Sequence, residues 1–314
     1  MQFWAILVEG FRESVDRKIF WVLVILTLVI VLLMLSIGFD GENMSFCFGL
    51  WKTTTNAPGP FYDFGRLQLV SAVVYIFLAA ILGWFGIVLM IIATAGIFPS
   101  MMEGGAIDVL LSKPISRARL FLYKYISSMV FVFLQGALFV VLTFLVMGFR
   151  WGVWAPGYLL CVLLLVLLFS YVYCMSVWIG VKTRSPVAAI LVSIGAWALF
   201  AVIHQAPQIF ETFPNLKERT ALYNTVRIIS WIPPKTGDFD YLAARWAGAG
   251  ISMDIFPSSM MEQADEQGRA QMDRAREVEK HELLKNPVAS IGSSLAFEAV
   301  IVLLAMWSFV RRDY

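Results

Sequence analysis

Six long apolar runs dominate this chain, at residues 19–37, 67–98, 126–147, 157–181, 187–203 and 288–310. Backbone groups in hydrocarbon have no water to bond with. A run of about 20 apolar residues therefore closes its own hydrogen bonds as a helix, long enough to cross a core of about 30 Å. The pattern predicts six transmembrane helices. The second run exceeds one crossing, so its helix is expected to tilt or to project past the bilayer near Pro99, with its last turns in water. Composition agrees: 60% of residues are hydrophobic and 15% charged, against about 45–50% and 25% in soluble domains, which excludes a soluble fold.

The net charge is only +2. A nucleic-acid partner asks for a strongly basic patch, and here the cations stand in short clusters between apolar runs, where they report topology. Arg12, Arg17, Lys18, Lys113, Arg117, Arg119, Lys124, Lys182, Arg184, Arg311 and Arg312 fall on one side of the predicted spans. Lys52, Arg66 and Arg150 are the basic residues of the two short loops on the other. Short loops rich in Lys and Arg stay in the cytoplasm. Both termini are therefore expected there, in a multi-pass protein of the inner (plasma) membrane.

The expected fold is an all-α membrane protein. An amphipathic interface helix covers 1–18, where Phe3, Trp4, Ile6, Leu7, Phe11 and Val15 alternate with charged residues. Helices one to five occupy 19–204 with a cytoplasmic coupling loop at 99–125. A mostly helical external domain fills 205–287, and 288–314 hold the sixth helix and a cytoplasmic tail. The first run lacks a small-residue cleavage site and is expected to be retained. The external segment carries ten basic and twelve acidic residues, which do not count against the orientation because long loops translocate largely regardless of charge. Within it, Met260, Met261, Ala264, Met272, Ala275 and Val278 recur near helical spacing. That helix either packs on its own domain or docks a partner.

Enzymatic signatures are missing from the sequence. There is no G-x-x-x-x-G-K-[ST] phosphate loop, no G-x-S-x-G and no H-E-x-x-H. Any ATP and Mg²⁺ would be held by another polypeptide, and no cofactor is expected on this chain. Cys161 and Cys174 sit inside an apolar run as small hydrophobes, Cys47 lies in a loop, and no C-x-x-C pair occurs. Glu277 and His281 are spaced i, i+4 on the external helix, which suits a solvated ion pair and, as the alternative, a shared metal. Two polar residues interrupt the spans, Glu298 in the sixth and Gln135 in the third. Both are candidates to line a translocation path; for Glu298, a structural hydrogen bond between helices and a position nearer the interface are the alternatives.

The connection after the second span, residues 101–124, reads MMEGGAIDVLLSKPISRARLFLYK. Ile107, Val109, Leu110 and Leu111 make an apolar patch flanked by Glu103 and Asp108, and Pro114 ends it before a basic cluster. Such a cytoplasmic helix either floats on lipid or enters a groove on a partner. These residues resemble the type-2 ABC exporters, the ABC-2 permeases. Glu103, Gly105, Ile107, Leu110, Leu111, Pro114, Ile115, Ser116, Arg117 and Lys124 match the family's pattern, with Ala106 in place of its usual Thr. Both ends of the chain also look like the family's, and the permeases linked to multicopper-enzyme maturation, such as the nitrous-oxide reductase system, are similar.

The resemblance implies a permease subunit driven by two copies of a separate ABC ATPase and paired with a second permease, identical or not. Glu103 to Ser112 would transmit the motor's movement, and the turn around Lys182 and Arg184 would make a second, smaller contact. The segment 205–287 exceeds the family's usual hairpin and is expected to meet substrate or a periplasmic partner. A secondary transporter or channel, which would show inverted repeats or several membrane charges, and a lipid-modifying membrane enzyme are the competing readings.

Overall fold

The computed structural model describes residues 18–40, 43–54, 84–102, 116–212, 225–226, 228–237, 242 and 287–311. The amphipathic segment 1–17, the first part of the second span (67–83), the loop residues 103–115 and the external helix with Glu277 and His281 lie outside the described residues. Among those described, six helical stretches are long and apolar enough to cross a membrane. The six-span expectation holds.

The first span, α1 (Lys18–Ser36), buries one stripe, Leu23, Thr27, Ile30, Val31 and Met34, whose spacing of three and four keeps it on one face. The opposite face, with Trp21, Val22, Ile25, Leu28, Val29, Leu32 and Leu33, is exposed. The second span opens on a π turn at 84–86, continues as α2 (Ile87–Thr94), breaks at Ala95 and Gly96, and ends as α3 (Ile97–Met101). Pro99 does not mark an exit from the bundle. It is the third residue after the Gly96 cap, where a helix has no use for an N–H. Ile97, Phe98, Pro99, Met101 and Met102 are all buried, so the expectation that these turns lie in water is corrected.

The third span is α4 (Arg117–Trp151), 35 residues and so about 52 Å long at 1.5 Å per residue. Ser116 caps its start in extended conformation and accepts a bond from the Arg119 N–H (3.4 Å). Gly152 closes it in the left-handed region, where an L side chain would be strained. Of the expected loop 99–125, therefore, 99–101 and 117–125 are helix, and Lys124, counted above among loop cations, is buried inside α4 at 6% exposure.

A 3₁₀ turn (Pro156–Leu160) leads into α5 (Cys161–Thr183), the most enclosed span, which packs against α4, α6 and α7. The fifth span, α6 (Pro186–Thr212), crosses up to His204 and continues as helix for eight residues into the segment assigned to the external domain. The sixth is α7 (Pro287–Val310).

Not anticipated from the sequence is a small antiparallel sheet beyond α1, formed by β1 (Gly38–Asp40), β2 (Asn43–Phe46) and β3 (Trp51–Thr54) in the order β1-β2-β3. The indole N–H of Trp151 donates to the Ile37 carbonyl (3.0 Å), joining the sheet end of α4 to that of α1. At the opposite, basic end, the Arg117 guanidinium donates to the Val310 carbonyl (3.3 Å), joining α4 to α7. Residues 228–237 fold against the sheet end. The Lys235 N–H donates to Ser294 Oγ (3.0 Å), and Gly237 passes so close to His204 that a Cβ there would lie 2.6 Å from the imidazole.

Candidate coupling face and intramembrane carboxylate

Glu298 stands twelve residues from the basic end of α7, about 18 Å along the axis and so near the middle of a core of about 30 Å. Its two carboxyl oxygens are both taken. The Tyr125 hydroxyl donates to Oε1 at 2.8 Å from α4, and the Ser170 hydroxyl reaches Oε2 at 2.8 Å from α5. One side chain thus ties together three spans. Ser170 also lies 2.8 Å from the Leu167 carbonyl. A hydroxyl has a single proton, so it serves one acceptor at a time, and the second bond is made only when Glu298 itself carries a proton. Behind this knot, Tyr173 and Ser128 share a hydrogen bond at 2.8 Å, and Ser128 reaches the Lys124 carbonyl at 3.0 Å.

Gln135 is elsewhere. It lies ten residues further along α4 than Tyr125, about 15 Å toward the sheet end, and its amide donates to Thr27 Oγ1 of α1 at 3.3 Å. The structure does not bring Gln135 and Glu298 into one site. Each makes a hydrogen bond between helices.

Rings connect Glu298 to the basic end. Phe98 at the end of the second span lies 5.0 Å from Phe121, which is 5.8 Å from Phe309 and 6.5 Å from Tyr125; Tyr125 is 5.6 Å from Tyr173. Phe98 and Phe121 stand on the two flanks of segment 103–115. That segment carries Glu103, Gly105, Ile107, Leu110, Leu111 and Pro114, all outside the described residues. Both flanks are therefore seated in the bundle, and one of them carries the tyrosine that holds Glu298. Sequence inspection found the carboxylate but had no means of pairing it with a tyrosine 173 positions away.

The turn holding Lys182 and Arg184 is wound tightly. Arg184 adopts a left-handed backbone (φ 55°) and its N–H closes on the Gly180 carbonyl at 2.9 Å. Ser185 then caps α6 by accepting from the Ala188 N–H (3.3 Å), with Pro186 at the first helical position. Lys182 and Arg184 are exposed, and the Lys182 ammonium stands 5.7 Å from the Trp178 ring. A Cβ added to Gly180 would meet Pro99 at 3.4 Å, so the end of the second span and this turn are in van der Waals contact. The described end of the second span and the turn holding Lys182 and Arg184 thus lie at one end of the bundle, where Arg117 also bonds to α7.

A family model described as ABC-2 family transporter protein matches residues 4–314. No curated relative matches the chain.

Proposed function

The chain belongs to the ABC-2 family of transporter proteins and is a multi-pass membrane permease subunit, and we propose that it serves an exporter in which a separate ATPase moves segment 103–112 and, through it, the Glu298 knot. Permeases of this family work with an ABC ATPase subunit and are not ATPases themselves. In this reading two copies of that subunit hold ATP and Mg²⁺, and a second permease, a copy of this chain or a relative, completes the pathway. Both termini face the cytoplasm of an inner membrane, and 205–287 face a substrate or a partner outside. Lys182 and Arg184 form the smaller second contact with the motor.

The observation that carries the coupling is the unbroken run of packed rings from Phe98 through Phe121 to Tyr125, ending on the carboxyl of Glu298. A push on 103–115 acts on two helix ends at once, since Phe98 and Phe121 are in contact. The rings are too closely packed to absorb it, because interiors yield by switching between packed arrangements, not by continuous compression. Glu298 joins α4 to α5 and α7, so a shift of Tyr125 reaches three spans. A polar path between those spans, with Glu298 on its wall, is the expected route of the cargo.

Reversing charge at Glu103 (Glu103→Arg), or placing a carboxylate in the apolar patch (Leu110→Asp), is expected to abolish co-purification of the ATPase with the permease. Unchanged recovery of the ATPase with both variants would overturn the assignment of this loop as the motor contact.

A further inference from the structure

The sheet beyond α1 has an unusual orientation. β1 leaves α1 at Gly38, and β2 returns antiparallel with Ser45 opposite Gly38. The chain after Phe46 is therefore back at the level of Ile37, and there the turn Cys47–Gly49 packs beside α1. β3 departs again with Trp51 opposite Phe46. The closed end of the β2–β3 hairpin consequently points back along α1, toward the bilayer.

That closed end is apolar and uncovered. Phe48 is 69% exposed, Leu50 84% and Trp51 77%. Cys47 and Phe48 both adopt left-handed backbone (φ 51° and 58°) ahead of Gly49 (φ 95°), a conformation that L residues avoid. The turn thus holds a strained geometry that leaves its aromatic residue outside. The turn packs beside α1, a span whose outer face leaves Leu28, Leu32 and Leu33 exposed, in a chain whose family lives in membranes. Polar residues, Lys52, Thr53 and Thr54, begin as the strand turns away. Tryptophan is enriched at membrane–water interfaces.

We propose that residues 47–51 are a lipid anchor, with Phe48, Leu50 and Trp51 seated at the headgroup–acyl boundary of the leaflet on the sheet side. Phospholipid suits the tip better than a second protein surface. Two aromatic side chains of about 150–250 Å² each and one leucine fall short of the roughly 800 Å² per partner that a stable protein interface buries. The anchor sets the depth of the sheet end of α1. The same strand end is stitched to α4 by Trp151, and the Arg150 guanidinium lies against Gly38, so the leaflet, α1 and α4 are held in one unit.

The native chain supplies its own probe site, since Cys47 is exposed while Cys161 and Cys174 are buried. Full-length protein labelled at Cys47 with a polarity-sensitive fluorophore is placed in phospholipid nanodiscs and quenched either by iodide in the water or by nitroxide-bearing lipids. The expected result is quenching by the nitroxide lipids several-fold stronger than by iodide. The double variant Phe48→Ser, Trp51→Ser is expected to reverse that ratio. Dominant iodide quenching of the native chain would place the tip in water. Protection from both quenchers would place a second copy or an external protein over it. Either outcome overturns the anchor, and neither depends on a variant that must fold.

Discussion

Glu298 and Gln135 are both polar, both inside the membrane and both hydrogen-bonded, yet they do different work. Gln135 joins two helices through one bond of 3.3 Å to Thr27. Glu298 joins three through two bonds of 2.8 Å, and the rings of Tyr125, Phe121 and Phe98 extend its reach to the basic end. The Gln135 bond is local glue between α1 and α4. The Glu298 knot sits where α4, α5 and α7 meet, so no one of those spans can move independently while it holds. Position in the contact network, more than polarity, separates a structural hydrogen bond from a candidate moving part.

The largest effect is expected at Glu298 itself. Glu298→Ala leaves the Tyr125 hydroxyl without its acceptor, while Ser170 keeps the Leu167 carbonyl, and a buried donor stranded in this way costs about 1–3 kcal/mol. Thermal unfolding of the detergent-solubilised permease should fall accordingly. ATP-driven transport by the assembled complex should be lost even where the ATPase still co-purifies. Glu298→Gln keeps an acceptor for Tyr125 but cannot ionise. It is expected to recover most of the stability and little of the transport. Equal recovery of both would reduce Glu298 to the same role as Gln135.

A smaller effect is expected at Tyr125→Phe, which removes one hydroxyl and keeps the ring between Phe121 and Tyr173. Intramembrane hydrogen bonds average about 0.6 kcal/mol in double-mutant cycles and reach about 1.7, and this short bond to a carboxyl should lie toward the upper end. A cycle combining Tyr125→Phe with Glu298→Ala, which removes the acceptor, is expected to show coupling when read by thermal unfolding. Strict additivity would mean that the bond transmits nothing.

Much of this was legible in the sequence, and what was not has physical reasons. Apolar length is a signal each span carries by itself, so all six could be read without knowing their neighbours. The sheet at 38–54 could not, because strands of three and four residues are too short to show a period of two and exist only through mutual pairing. The break at Gly96 lies inside an uninterrupted apolar run, and a proline after such a run fits an exit and a helix start equally. Lys124 looked like a loop cation because sequence alone does not show that α4 begins seven residues earlier. Glu298 stood out as a lone intramembrane carboxyl, but its partners are ordinary residues on distant spans. Pairing them takes three-dimensional packing.

The smallest effect is expected at Gln135, and it is the one that most sharpens the comparison. Gln135→Leu removes the donor to Thr27, but Thr27 keeps a hydroxyl that can bond to its own helix backbone, as Thr94 and Thr143 do here at 2.7 and 2.8 Å. Little is left stranded, and a leucine of similar volume fills the gap between α1 and α4. The loss should be about 0.6 kcal/mol or less, with ATP-driven transport and ATPase association at the native level. A deficit in transport as large as that of Glu298→Ala, without a matching loss of stability, would place Gln135 on the moving pathway and would extend that pathway about 15 Å along α4 toward the sheet.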